Sequence, residues 1–192
     1  MWDARTGARM AGLAERVKGW HAMILKLILG FGLIWFILTF LLLIHEYGHA
    51  WVMRRLGMRV DKIVIGTGPL LFSTSQEEIR LLPFIGMAIS DDYAKASLRD
   101  RAIAAAAGPA ASIVLGLFLL LANWIVPSWA TLIAAKGSFL LAAINLIPLP
   151  PFDGFTVVEA FLTRRGVQIN EGQRRQLFTI GIGTMVVLTL VL

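Results

Sequence analysis

Long uncharged runs, each ended by a polar or proline-containing segment, dominate the amino-acid sequence. The first run covers residues 27–53, carries no charge before His45 and ends at a basic pair followed by Gly57. A run of this length predicts a helix that crosses a bilayer with some tilt, and the basic last turn and the glycine are typical of a helix end.

Three further apolar segments follow in the second half of the chain. A break around Asn123 and Pro127 divides a long run into two predicted helices, about 103–124 and 129–147, and residues 176–192 form another apolar segment. The pattern therefore predicts a polytopic α-helical membrane protein with about four transmembrane helices.

The pattern changes between residues 58 and 90, where short apolar clusters alternate with glycine, proline and polar residues. This predicts a small membrane-associated β-sheet of three or four strands after the first transmembrane helix. Residues 1–26 place apolar side chains three and four positions apart among basic ones, which favours an amphipathic segment at the membrane surface. The expected organisation is an N-terminal segment, 1–26, followed by one membrane domain, 27–192.

Composition supports a membrane location. Of the 192 residues, 57% are hydrophobic and only 16% are charged, below the share usual in soluble domains. The formal net charge of +6 is best explained by basic residues that face anionic lipid, so nucleic-acid binding is not expected. Eight Lys and Arg residues lie between residues 54 and 101 and four between 164 and 175. Their distribution predicts a multi-pass protein of the cell membrane whose active site lies near the cytoplasmic face.

One short motif, HEYGH at residues 45–49, carries recognisable chemistry. Two histidines four residues apart lie on one face of a helix, so His45 and His49 can reach the same metal ion. Glu46, one step further round the helix, can hold a water molecule at the metal without being a ligand. This is the HExxH pattern of zinc hydrolases, here set within an apolar run.

A catalytic zinc ion usually has three protein ligands, so a third is expected elsewhere in the chain. The sequence contains no cysteine, and the remaining histidine, His21, would lie about 36 Å from His45 along a continuous helix. The third ligand is therefore expected to be a carboxylate. Asp153 follows an uncharged, proline-rich stretch and is the preferred candidate, although a simple interfacial turn would also explain it. Asp91 or Asp92 is the alternative.

These motifs together resemble the site-2 protease family of intramembrane zinc metalloproteases. HEYGH is similar to that family's HExxH, residues 145–154 (NLIPLPPFDG) to its NxxPxPxLDG motif, and residues 108–112 (GPAAS) to its GxxxN/S/G motif. The resemblance covers roughly residues 27–160. At residues 83–86 the chain has PFIG where the family usually has Pro-x-Gly-Gly, which leaves the local sheet conformation open. The length fits a minimal core without a PDZ or regulatory domain.

The resemblance implies that His45, His49 and Asp153 bind one zinc ion and that Glu46 is the catalytic base. It implies that Asn145 helps to hold the substrate or stabilises the oxyanion. The expected function is cleavage of peptide bonds in or near transmembrane segments of membrane proteins. Helix packing is the preferred role for the small residues Gly108 and Ser112.

Two other functions fit parts of the pattern. A catalytically silent membrane scaffold or adaptor of the same fold would keep the metal ligands but would not need Glu46. A zinc transporter would place ionisable residues along several helices, whereas here they cluster at one site. The intact Glu46 therefore favours an enzyme.

Overall fold

The computed structural model describes residues 4–191. The elements in chain order are α1 (Ala4–Arg55), β1 (Lys62–Ser73), β2 (Glu77–Ile89), α2 (Leu98–Ile125), α3 (Trp129–Asn145), α4 (Asp153–Arg164) and α5 (Glu171–Val191). Contacts divide the chain between Ile37 and Leu38, and every functional residue discussed below belongs to the second unit. The described part of the N-terminal segment is helical and belongs to α1.

Two helices among the described residues are long and apolar enough to cross a membrane. They are Glu15–Arg55, which is most of α1, and Leu98–Ile125, and only 22% and 33% of their most apolar windows are buried. Because most of these apolar side chains remain exposed, the two helices do not resemble the buried core helices of a soluble protein. The apolar α3 is shorter, at 17 residues, and a transmembrane role for it or for α5 stays a prediction.

The prediction of three or four strands was wrong, because the sheet has two long, irregular strands, β1 and β2. Gly66 and Gly68 have φ angles of +86° and +78°, so they bend β1 without ending it. The start of β1 pairs on two sides: Ile63 lies opposite both Ala88 and Glu77, and Ile65 opposite both Gly86 and Ile79. The apolar clusters that were predicted to be separate strands are therefore segments of two bent strands.

The core joins the sheet to the end of α1. Buried side chains of α1, of the segment between α1 and β1, of β1 and of α2 form one cluster, made of Leu42, Ala50, Met53, Met58, Val60, Ile63, Ile65 and Ala104. Helix α2 also packs against α3 and α4. The last turns of α1, which carry the HExxH motif, are therefore held between the sheet and α2.

Candidate metal centre

Three side chains converge at the centre of the second unit. The Nε2 atoms of His45 and His49 lie 3.2 Å apart, and each lies 3.2 Å from Oδ2 of Asp153. The two imidazoles are almost fully buried, and the Asp153 side chain is 22% exposed. Within the described part of the chain, these are the His and acidic side chains whose ligand atoms come close enough together to hold a metal ion.

The turn before α4 carries Asp153 back to the two histidines. Helix α3 ends at Asn145, and the proline-rich turn that follows leads into α4, whose first residue is Asp153. Gly154 allows close packing here, because a Cβ at this position would lie 2.3 Å from the carbonyl oxygen of Leu146. Phe152, at the end of the turn, and Phe155, in the first turn of α4, are buried and anchor this part of the chain. The carboxylate also lies at a helix N-terminus, which favours negative charge.

Helix α2 contacts both imidazoles from the other side. His49 Nδ1 lies 2.8 Å from the carbonyl oxygen of Ala104, and His45 Nδ1 lies 2.9 Å from the Ser112 hydroxyl oxygen. Gly108, between these two residues, faces the ligand atoms directly, because a Cβ there would lie 2.2 Å from His49 Nε2. The predicted packing role of Gly108 and Ser112 thus omitted these contacts with the histidines. The four-residue spacing of Gly108 and Ser112 was the feature of the sequence that could have indicated these contacts.

The donor set fits a zinc ion. Ligand atoms about 2.0–2.1 Å from a tetrahedral zinc ion lie about 3.3 Å from one another, close to the 3.2 Å separations found here. The Ala104 carbonyl can only accept a hydrogen bond, so His49 Nδ1 is the donor and the Nε2 of the neutral ring carries a lone pair. Two imidazole nitrogens and a carboxylate oxygen that face one point need a proton or a cation between them.

Glu46 lies beside this cluster and faces the sheet. Its side chain is buried, at 5% exposure, and accepts a hydrogen bond from the backbone N–H of Ala88. A Cβ at Gly86 would lie 2.4 Å from Glu46 Oε1, so only glycine fits there without displacing the carboxylate. The sequence marked residues 83–86 only as a departure from the family pattern, and did not indicate that Gly86 contacts Glu46.

The other sequence candidates lie in different surroundings. Asn145 ends α3, and its Nδ2 donates to the Leu141 carbonyl oxygen one turn back at 2.9 Å. The alternative ligands belong to the segment before α2: Asp92 accepts from the backbone N–H of Arg59, and the N–H of Asp91 donates to Asp61. Among the described residues, neither alternative joins the group that could hold a metal ion.

A buried pair of histidines from one membrane helix, a carboxylate from a proline-rich turn and an adjacent glutamate define a site of the zinc metallopeptidase type. Comparison with known proteins identifies the family. The chain belongs to peptidase family M50, whose model matches residues 33–133 and 121–188. The prediction of a site-2 protease relationship is thereby confirmed.

Relatives in three organisms illustrate the similarity. The chain is 29% identical over 138 residues to the zinc metalloprotease MJ0392 of Methanocaldococcus jannaschii, covering 68% of this chain and 34% of that protein. It is 32% identical over 105 residues to the regulator of sigma-E protease RseP of Escherichia coli, covering 45% of this chain and 23% of RseP. It is 32% identical over 116 residues to the zinc metalloprotease Rip1 of Mycolicibacterium smegmatis, covering 47% and 29% of the two chains.

The fold is similar to that of a solved structure, the site-2 protease from Methanocaldococcus jannaschii. The TM-score is 0.51 at 21% identity, and the match covers 76% of this chain and 65% of the other. At this identity the likeness concerns the fold. The matched part spans about a third or less of the length of the curated relatives described above.

Proposed function

We propose that this chain is a zinc-dependent intramembrane endopeptidase that hydrolyses peptide bonds in or near transmembrane segments of membrane proteins. The observation that carries the proposal is the convergence of His45, His49 and Asp153, with 3.2 Å between their ligand atoms, beside the buried Glu46. Membership of family M50 and relatives named zinc metalloproteases support it.

In this proposal His45, His49 and Asp153 hold the zinc ion. When bound, zinc supplies Lewis acidity at this point, which favours both attack by water and polarisation of a peptide carbonyl. Glu46 takes a proton from the attacking water and later gives it to the leaving amine. Its surroundings suit that task, since Gly86 leaves room for the carboxylate and the Ala88 N–H holds it in place.

Asn145 is proposed to hold the substrate or to stabilise the oxyanion. A side-chain amide has two N–H donors, and the structure assigns one of them to the Leu141 carbonyl. The second remains to donate to a substrate carbonyl, at the end of α3 that leads into the turn before Asp153. This role is the kind played by side-chain amides in oxyanion holes.

The edge of β2 beside Glu46 is the proposed place for the unwound substrate. A peptide bond inside a helix is shielded by its own hydrogen bonds, so the substrate must become extended before it is cut. Residues 86–88 lie against Glu46, and Ala88 points its N–H away from β1 and towards that side chain. An extended segment added along this edge would lie next to the catalytic base.

In this proposal the site lies near the cytoplasmic face, because the chain from the end of α1 to the start of α2 is rich in basic residues. They comprise Arg54, Arg55, Arg59, Lys62, Arg80, Lys95, Arg99 and Arg101. Basic loops next to transmembrane helices are retained on the cytoplasmic side.

Purified protein assayed against single-span membrane proteins tests the proposal. Wild type should bind one zinc ion per chain and cleave a substrate, and Glu46→Gln should keep the zinc but lose cleavage. Glu15→Gln is the matched control, because Glu15 lies on the same helix with a side chain that is 73% exposed. Zinc binding without cleavage of any substrate by the wild type would favour a silent scaffold. Unchanged cleavage by Glu46→Gln would remove Glu46 from the mechanism.

A further inference from the structure

Three residues of α2 spaced four apart, Ala104, Gly108 and Ser112, face the two histidines. The Ala104 carbonyl binds Nδ1 of His49, and the Ser112 hydroxyl lies 2.9 Å from Nδ1 of His45. Between them, a Cβ at Gly108 would lie 2.2 Å from Nε2 of His49 and 2.7 Å from Nε2 of His45. Residues of α2 therefore lie close to both ring nitrogens of His45 and of His49, although α2 supplies none of the three proposed ligands.

The two Nδ1 contacts differ chemically. A carbonyl oxygen only accepts, so it fixes His49 as the tautomer with hydrogen on Nδ1. A hydroxyl group can donate or accept, so the position of the Ser112 oxygen alone does not decide the tautomer of His45. The Nε2 atom of His45 faces the metal position together with Nε2 of His49 and Oδ2 of Asp153, so binding of a metal ion there leaves the hydrogen of the neutral ring on Nδ1, with the Ser112 oxygen as its acceptor.

We propose that Ser112 is a positioning residue for His45, which it holds as the Nδ1–H tautomer with the Nε2 lone pair directed at the metal position. The inference rests on the metal site of the proposed function. Ser112 is 1% exposed, so bulk water cannot replace its hydroxyl group if that group is removed. Hydrogen-bond partners of metal-bound histidines fix the ring orientation in this way, and their loss typically costs 10–100-fold in metal affinity.

Ser138 offers a matched control. It is 0% exposed, lies on α3, and donates a hydrogen bond of 3.0 Å to the backbone carbonyl of Ser112. Ser112→Ala removes a buried hydroxyl group between α2 and α1, and Ser138→Ala removes one between α3 and α2. Only the first removes a contact with an imidazole. A role in packing alone predicts similar effects of the two substitutions, whereas positioning predicts different ones.

The first measurement is the tautomer of each histidine in metal-free Asp153→Ala, by NMR of isotope-labelled imidazoles at a pH where both rings are neutral, because without a metal ion the Asp153 carboxylate would draw a hydrogen to Nε2. His49 serves as the internal reference, because its carbonyl partner requires hydrogen on Nδ1. The expected result is that His45 shows the same tautomer. Hydrogen on Nε2 of His45 in this variant would overturn the proposal, and the measurement needs no zinc.

The second measurement is zinc affinity, by competition with a chromophoric chelator. Ser112→Ala should bind zinc about 10–100-fold more weakly than wild type, with Ser138→Ala close to wild type. Equal losses in the two variants, or wild-type affinity in Ser112→Ala, would overturn the proposal. Wild type that binds no zinc would instead refute the proposed function, and the tautomer of His45 would still decide the present inference.

Discussion

Replacing Gly108 by alanine adds a single methyl group at the candidate metal site. The new carbon would lie 2.2 Å from Nε2 of His49 and 2.7 Å from Nε2 of His45, against 3.4 Å or more for an ordinary contact. The two ligand atoms would have to move by about 1.2 Å and 0.7 Å. Ligand distances in zinc sites hold within about 0.2 Å, so neither histidine could keep its place. We expect zinc affinity to fall by more than about 100-fold, beyond the usual cost of losing a ligand's hydrogen-bond partner.

The same substitution should leave most of the fold intact. Alanine is about 1 kcal/mol more favourable than glycine inside a helix, and a crowded methyl group typically costs about 1–3 kcal/mol. The net cost of about 2 kcal/mol or less is small beside the 5–15 kcal/mol of a typical native protein. Gly108→Ala should therefore be purified as a helical protein of wild-type size that contains little zinc.

Gly116→Ala is the control for crowding on the same helix. A Cβ at Gly116 would lie 2.8 Å from the ring of Phe139, so this variant strains the contact between α2 and α3 without reaching either histidine. Zinc per chain and chelator competition should separate the two variants, with circular dichroism as the check on folding. Wild-type zinc affinity in Gly108→Ala, or equal losses in both variants, would refute the assignment of Gly108 to the metal centre.

Three further changes test other parts of the site and sheet. Asp153→Asn keeps the side-chain shape but removes the charge, and should sharply reduce bound zinc; full retention would mean that another carboxylate is the ligand. Gly86→Ala places a carbon 2.4 Å from Oε1 of Glu46, so cleavage should fall by at least about 10-fold while zinc content stays unchanged. Loss of zinc in that variant would show that Gly86 supports the ligands instead. Hydrogen bonds from Lys62 and Arg80 lower the pKa of Glu78. The ionised Glu78 therefore stabilises the folded state above its unfolded pKa of about 4.3, and this stabilisation is lost as the pH falls through the lower pKa of the folded state. Protection factors of the amides in β1 and β2, which correct for the intrinsic pH dependence of hydrogen exchange, should fall over that range in wild type, and less so in Glu78→Gln.

The helices were predictable because their signals are local. The predicted hairpin, 103–124 and 129–147, agrees with α2 and α3 within a few residues, since an apolar run, an asparagine and a proline act on their own neighbours. The strand count was not predictable in the same way. Glycine and proline in residues 66–69 looked like strand ends, but the positive φ angles bend β1 and let it pair on two sides.

In the candidate site, too, the features with a local sequence signal were predictable and the contacts between distant residues were not. His45 and His49 follow from one helical turn. The absence of cysteine and of a further histidine within reach predicted a carboxylate as the third ligand, and the uncharged stretch before Asp153 made it the preferred candidate over Asp91 or Asp92. The contacts of Gly86 with Glu46 and of Ser112 with His45 join residues 40 and 67 positions apart. No periodicity within either segment encodes them, so they emerge only when the sheet and α2 are packed on α1.

Close packing of α2 against α1 and its contacts with the two proposed ligand histidines depend on the same small residues. A Cβ at Gly48 would lie 2.7 Å from the Ala107 carbonyl oxygen and 2.7 Å from the Cβ of Ala111, so a larger residue there would force α1 and α2 apart. The hydrogen bonds that join His45 and His49 to α2, at 2.9 and 2.8 Å, exist only at the present separation of α1 and α2. An outward shift of α2 by 1 Å would lengthen both beyond ordinary hydrogen-bond distance. The small residues of α2 therefore bring a carbonyl and a hydroxyl group close enough to orient two imidazoles, and this explains why a helix without metal ligands should control metal affinity.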